Sequence, residues 1–328
     1  MTKLIIAGNI HPDGMALLKA KPELQIELFT DPGAHLPMKS LSSADALLIR
    51  YGVITSAMAE QMPNLRIVSR HGVGCDNLPT AELGARGVPV TIVGPVNAVS
   101  VAEHVLTMMM VLKKKVIASD AAVRDGNWGF RNEVALSEIY RKTLLILGFG
   151  RIGREVAVRA AAFGMNVEVF DPFVDAATIK AAGYTAATDW KAALPNADVL
   201  SLHLPMTPET AGMIGVRELD AMKSTAILIN AARGGLVDED ALFDALSGRM
   251  RKGGAGFDCF VCEPPQKDLA LFDLPNTVFS PHSAALSAES TRAMGIVAAQ
   301  NILAGLMGQL DPALIFNAKS LKEAGHEL

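Results

Sequence analysis

Short apolar runs alternate with helical stretches through the first hundred residues, and strands are predicted over 4–7, 25–29, 46–49, 66–69 and 90–93. That spacing suits repeated βα units and a parallel sheet. A second series follows at 143–147, 167–170, 199–202, 226–230 and 254–257, with 276–280 as its last strand. The pattern predicts an α/β chain of two tandem units. Between the series, apolar residues at 101, 105, 108, 109, 112 and 116 keep helical spacing and predict one helix over 101–118. Met108, Met109 and Met110 within it are assigned to core packing. The lysines at 113–115 read as a solvated helix end, where cations suit the helix dipole. Residues 290–310 are helical again. They follow the completed second series, so this helix is expected to cross back to the first unit.

Composition narrows the class. The 328 residues are 50% hydrophobic and 20% charged, with a formal net charge of −4, and the mean hydropathy is +0.28. Such a chain is not disordered, and its length suits two domains. Its charge balance and 5% aromatic content give no basis for a nucleic-acid partner. Three cysteines form no disulfide framework, and the odd count suits a reducing compartment. Cys259 and Cys262 make a C-x-x-C after a Gly-rich apolar strand, and both are assigned to packing rather than to redox chemistry or zinc. The apolar run at the N-terminus is too short for a signal peptide. The longest uncharged stretch, 293–310, falls short of a bilayer span and is interrupted by Gln300, Asn301 and Gln309. The expectation is a soluble, cytoplasmic protein with no membrane partner and no metal.

One motif carries chemistry in its context. Gly148, Gly150 and Gly153, with Phe149, Arg151 and Ile152 between them, form a G-x-G-x-x-G between the apolar strand TLLIL and a helix. Gly148 permits the tight turn, Gly150 lets pyrophosphate approach the backbone, and Gly153 lets helix and strand pack closely. The helix N-terminus then offers N–H groups to phosphate. Asp171 ends the next strand, 23 residues after Gly148, where a carboxylate accepts hydrogen bonds from the adenosine ribose and repels a 2′-phosphate. The predicted cofactor is NAD. A complete α/β unit precedes this signature, so the cofactor domain is expected to be inserted in, or appended to, a substrate domain, with the site in the cleft between them.

Hydride transfer on a 2-keto or 2-hydroxy acid also needs a cation for carboxylate and carbonyl, an acid/base, and a partner that tunes it. Arg233, Glu263 and His282 lie just beyond successive strands of the second series. With RHGVGCDN (70–77), NAVSVAEH (97–104), LGFGRIG (147–153), LHLPMTPET (202–210), INAARGGLVDEDAL (229–242), DCFVCEPP (258–265) and PHSA (281–284), the chain resembles the D-isomer-specific 2-hydroxyacid dehydrogenases. Phosphoglycerate dehydrogenase and hydroxypyruvate/glyoxylate reductase belong to that family.

The resemblance implies two doubly wound parallel-sheet domains. A Rossmann NAD domain, residues 99–285, would be inserted in a flavodoxin-like substrate domain made of 1–98 and 286–328. Arg233 would grip the substrate carboxylate and polarise the carbonyl. His282 would exchange the proton, and Glu263 would hold its imidazole and favour the charged form. Asp258 would lie near the nicotinamide carboxamide. His203, Pro205, Thr210, Ala231 and Ala232 would line the cofactor groove, and Ala284 would tighten the nicotinamide pocket. Backbone N–H groups of Gly72, Val73 and Gly74 would form an anion nest for the substrate carboxylate. Arg50 reads either as a residue facing a second anionic group or as a surface arginine. His104 reads as a satisfied core residue, while Arg70 and His71 have no evident role.

The resemblance further implies a homodimer built from the helix near 101–118 and the arm 127–132, with Trp128 and Phe130 central. The C-terminal regulatory domain of longer phosphoglycerate dehydrogenases is not expected. Formate dehydrogenases of the superfamily carry an amide where Glu263 stands, which disfavours that activity. The rival class is a corepressor-like protein that binds NAD(H) and docks partners without turnover.

Overall fold

A computed structural model describes residues 1–31 and 36–326. The chain divides into two compact units, one made of residues 1–97 and 286–328, the other of 98–285.

In the first unit, β1 (Thr2–Ala7), β2 (Leu24–Phe29), β3 (Ala46–Ile49), β4 (Ile67–Arg70) and β5 (Val90–Thr91) form a parallel sheet in the order β2-β1-β3-β4-β5. This is the doubly wound 2-1-3-4-5 order of flavodoxin-like folds. Helix Ala288–Met307 belongs to this unit, as its position after the second series suggested. Ser287 caps its start by accepting the Ser290 N–H, and Gly308, at φ +69°, ends it. It lies against helix Pro12–Lys19 at glycines: a Cβ on Gly14 would stand 2.2 Å from the Gly295 carbonyl oxygen. Gly14→Ala is therefore expected to force the helices apart and destabilise the protein by about 1–3 kcal/mol. A urea midpoint equal to that of the unmutated chain would refute this.

The second unit carries β6 (Thr143–Leu147), β7 (Asn166–Phe170), β8 (Thr185–Ala186), β9 (Val199–Leu202), β10 (Ile227–Asn230), β11 (Gly254–Phe257) and β12 (Thr277–Phe279). They are all parallel, in the order β12-β11-β10-β9-β6-β7-β8. This is Rossmann topology with one added strand. Leu144 and Ile146 pack with Val101, Val105, Met108 and Met109 on one face, and Leu145, Leu147, Leu200 and Leu228 pack on the other. Burial on both faces explains why these strands read as continuous apolar runs. Strand β8 escaped the sequence pattern because two residues make no run.

Three expectations are corrected. The single helix over 101–118 is two helices, Ala98–Lys114 and Val116–Arg124, broken at Lys115 with φ +47°. A left-handed residue cannot continue the i to i−4 hydrogen-bond ladder. At the break Lys113 is not simply solvated, for its Nζ donates to the Thr225 carbonyl at 3.0 Å. Of the C-x-x-C pair only Cys259 packs, while Cys262 is exposed, and no disulfide joins cysteines among the described residues.

Candidate active site

The glycine-rich turn follows from contacts that exclude side chains. A Cβ on Gly148, at φ +98°, would stand 2.4 Å from the His203 carbonyl oxygen, and one on Gly153 would stand 2.1 Å from the Gly148 oxygen. Gly150 faces open space and starts helix Arg151–Ala162, whose first turn has no side-chain cap. Its N–H groups thus point at an uncovered surface, as an anion site requires. Arg151 is exposed, and Ile152 packs on the core beneath the helix.

Asp171 accepts the Phe149 N–H at 2.7 Å with one oxygen and the Phe173 N–H at 2.8 Å with the other. Each oxygen keeps a lone pair for a ribose hydroxyl. Across the turn, His203 Nε2 meets Ser201 Oγ at 2.9 Å, while its Nδ1 is buried and has no partner among the described residues. Burial pushes that imidazole down to about 4, so it is neutral at pH 7. Thr210 turns its own loop, donating to the Pro205 carbonyl and accepting the Thr207 N–H, each at 2.8 Å. The uncapped helix start, the small-residue cradle, the fixed carboxylate and the orphaned Nδ1 together fit a bound dinucleotide.

The catalytic candidates come together because β10, β11 and β12 are adjacent and in register, Asn230 opposite Phe257 and Phe257 opposite Phe279. Their C-terminal turns therefore lie side by side. Buried Asn230 folds the first turn, donating to the Arg233 carbonyl at 2.8 Å and accepting the Ala232 N–H at 3.1 Å. Arg233 Nη1 rests on the Ala232 carbonyl at 2.6 Å, and Ala231 belongs to the core. Gly234 has no room for a Cβ, which would stand 1.8 Å from the Phe260 carbonyl, so the Arg233 and Glu263 turns touch.

Glu263 accepts the Phe260 N–H at 3.0 Å and pairs with His282 Nδ1 at 2.7 Å. Burial pushes its carboxyl up, but the His282 and Phe260 hydrogen bonds and the charges of His282 and Arg233 outweigh it and hold the carboxyl below its ordinary range. An ionised carboxylate only accepts, so His282 Nδ1 is the donor and Nε2 is the nitrogen left for proton exchange. Cys259 offers a third ligand-type atom within 4.8 Å of these two. Burial, then the Asp258 and Glu263 charges, push its thiol far up, so it sits there as a neutral thiol.

His282 has φ +49°, a strained conformation costing an L-residue about 1–2 kcal/mol. Asp258, 1% exposed, holds it there. The Asp258 carbonyl accepts the His282 N–H at 2.8 Å. Its carboxylate accepts Ser280 Oγ, the Ser283 N–H at 2.8 Å and the Ala284 N–H at 2.9 Å. The carboxylate expected at the nicotinamide is thus engaged inside the His282 turn. His104 is no plain core residue either, since its Nε2 meets Ser280 Oγ at 2.8 Å.

In the first unit, β4 runs into the Gly72–Gly74 loop, which Arg70 fastens. Its guanidinium donates to the carbonyls of Gly74 at 2.9 Å, Arg50 at 3.0 Å and Ile49 at 3.2 Å. The expected three-donor nest is corrected to two, because the Gly72 N–H already bonds the Arg70 carbonyl at 2.9 Å. Among the described residues no acceptor meets the Val73 or Gly74 N–H. Arg50 donates to the Asn9 carbonyl at 2.6 Å and stacks 4.8 Å over Tyr51. His71 is buried, and desolvation, then the charges of Arg50 and Arg70, push it down to about 4. Arg70 stood inside a quoted motif. Asn230 likewise lay inside a motif but with no role assigned, and Ser280 carried no signal, since their partners are set by the folded turns.

Comparison with known proteins agrees with this geometry. Residues 106–284 match the family model described as D-isomer specific 2-hydroxyacid dehydrogenase, NAD binding domain. The D-3-phosphoglycerate dehydrogenase of Methanocaldococcus jannaschii is 34% identical over 312 residues, covering 94% of this chain but 58% of that protein. The chain spans a little over half the length of such curated relatives. The glyoxylate reductase of Korarchaeum cryptofilum is 34% identical over 323 residues, covering 95% of both. The crystal structure of D-lactate dehydrogenase from Aquifex aeolicus, complexed with NAD and lactic acid, superposes with a TM-score of 0.85 at 28% identity, covering 98% of both chains. The chain belongs to the D-isomer specific 2-hydroxyacid dehydrogenase family, and its second unit is that family's NAD-binding domain.

Proposed function

We propose that the protein interconverts a 2-keto acid and a D-2-hydroxy acid at NAD(H). The observation that carries this is the Glu263–His282 pair, with its donor nitrogen assigned and Arg233 acting on Glu263 from the neighbouring turn. Bound NAD(H) supplies or accepts the hydride. Arg233 binds the substrate carboxylate and polarises the carbonyl, a role that a guanidinium fork suits. His282 Nε2 gives its proton to the carbonyl oxygen in reduction and takes it back in oxidation. Glu263 holds Nδ1–H and stabilises the imidazolium. The Val73 and Gly74 N–H groups receive a substrate oxyanion. Arg50 selects acids with a second polar or anionic end, of the hydroxypyruvate or 3-phosphoglycerate kind. NADH oxidation assayed across glyoxylate, hydroxypyruvate and 3-phosphohydroxypyruvate tests this. Tight NADH binding without turnover on any of them would overturn it in favour of a docking protein.

Asp171 is the basis for preferring NAD. Asp171→Ala removes the charge that repels a 2′-phosphate, and the kcat/KM ratio of NADH to NADPH is expected to fall at least about tenfold, or 1.4 kcal/mol. Equal efficiencies with the two cofactors in the unmutated protein would refute the assignment.

The homodimer rests on an unpartnered surface. Helix Val116–Arg124 has no buried residue. With the arm Trp128–Asn132 it presents Ile117, Val123 and Trp128, the last 66% exposed. Apolar side chains gathered this way mark a protein interface. Light scattering is expected to give twice the chain mass at micromolar concentration, and Trp128→Ala to shift it toward the monomer. Cysteines outside any disulfide suit a reducing, cytoplasmic compartment. No helix among the described residues is long and apolar enough to cross a membrane.

A further inference from the structure

The turn that carries His282 is gripped from outside as well as from within. Helix Ala98–Lys114 lays two side chains on it, one helical turn apart and so on one face. Ser100 Oγ donates to the Ala284 carbonyl at 2.7 Å, and His104 Nε2 meets Ser280 Oγ at 2.8 Å. Direction follows from proton counting. Ser280 has a single hydroxyl proton and gives it to the Asp258 carboxylate, which only accepts. His104 Nε2 must then be the donor to Ser280. The chain of donation runs from His104 to Ser280 to Asp258, and the same carboxylate receives the Ser283 and Ala284 N–H groups.

We propose that His104, with Ser100, is a positioning residue that locks the 280–284 turn and thereby aims His282. The inference rests on the reading of His282 as the proton-exchanging group. With His104 in place, the Ser280 hydroxyl has one orientation and Asp258 keeps its third donor. Without it, the hydroxyl is released to other acceptors, Asp258 loses that donor, and the left-handed residue at His282 loses part of the frame that holds it. Small displacements of a reacting group lower rates steeply, so a loss of about 10–100-fold in kcat is expected.

The test uses the full chain loaded with NADH. His104→Ala is expected to lower kcat by that factor, to leave NADH binding within twofold, and to speed amide exchange at Ser283 and Ala284. His104→Gln, whose amide Nε2 can donate from nearly the same place, is expected to restore both readouts. Ser280→Ala breaks the link at its other end, so the double variant with His104→Ala should be no worse than the poorer single. Unchanged exchange in His104→Ala, no rescue by Gln, or additive losses in the double variant would each overturn the proposal. Should the unmutated protein turn over no 2-keto acid, the functional reading fails, yet the exchange measurements still decide whether His104 holds the turn.

Discussion

His282→Ala is expected to lower kcat for keto-acid reduction by about 10²–10⁴-fold while leaving NADH affinity nearly unchanged. The carbonyl oxygen gains charge as hydride arrives, and a positioned proton donor relieves it. On the proposed reading His282 is that donor, already paired with Glu263. Glu263 is held as a carboxylate by the His282 and Phe260 hydrogen bonds against its burial. Removing the ring touches neither the glycine turn nor Asp171, which lie at β6 and β7, so cofactor binding should survive. Steady-state kinetics with NADH titrated by fluorescence separates the two quantities. A variant retaining more than a tenth of the parent kcat would show that another group, or water, protonates the product.

Arg233→Ala is expected to damage binding and chemistry together, raising KM for the keto acid and lowering kcat by about 10²–10³-fold. A substrate carboxylate is bound equally well in ground and transition states, so losing that contact appears in KM. Polarisation of the carbonyl strengthens as charge develops, so its loss appears in kcat. Arg233→Lys should recover only part, because an ammonium lacks the planar fork that engages two oxygens at once. The backbone of the turn should stay in place, since Asn230 grips the carbonyl of residue 233 rather than its side chain. A rise in KM with kcat intact would confine Arg233 to substrate binding and leave polarisation to another donor.

Much of the catalytic unit was legible because its signals are local. The glycines of 148–153 announce themselves by the conformations and close approaches that only glycine tolerates, and Asp171 by its distance along one βα unit. Arg233, Glu263 and His282 stand just past the strands that carry them. The less legible residues act through partners distant in sequence. Asp258 was legible as a site residue, but the bonds its carboxylate makes to residues 22 to 26 positions later were not. His104 was legible as a satisfied histidine, but not the partner that satisfies it, a serine 176 residues away. Arg70 was visible but without a role until the carbonyls of Ile49, Arg50 and Gly74 were seen to converge on it.

The sequence by itself determined the strand series, the dinucleotide turn and the family, and it singled out Glu263 and His282 as candidates, because each depends on residues close in the chain or on motifs that keep their spacing. Tertiary structure alone decided three things. It broke the long helix at Lys115, where apolar periodicity runs through a left-handed residue unnoticed. It set the strand order that places three turns side by side, which follows from packing of whole βα units and leaves no trace in any one of them. It also turned Asp258 inward, because a buried carboxylate must find donors, and those donors exist only once the His282 turn has folded over it.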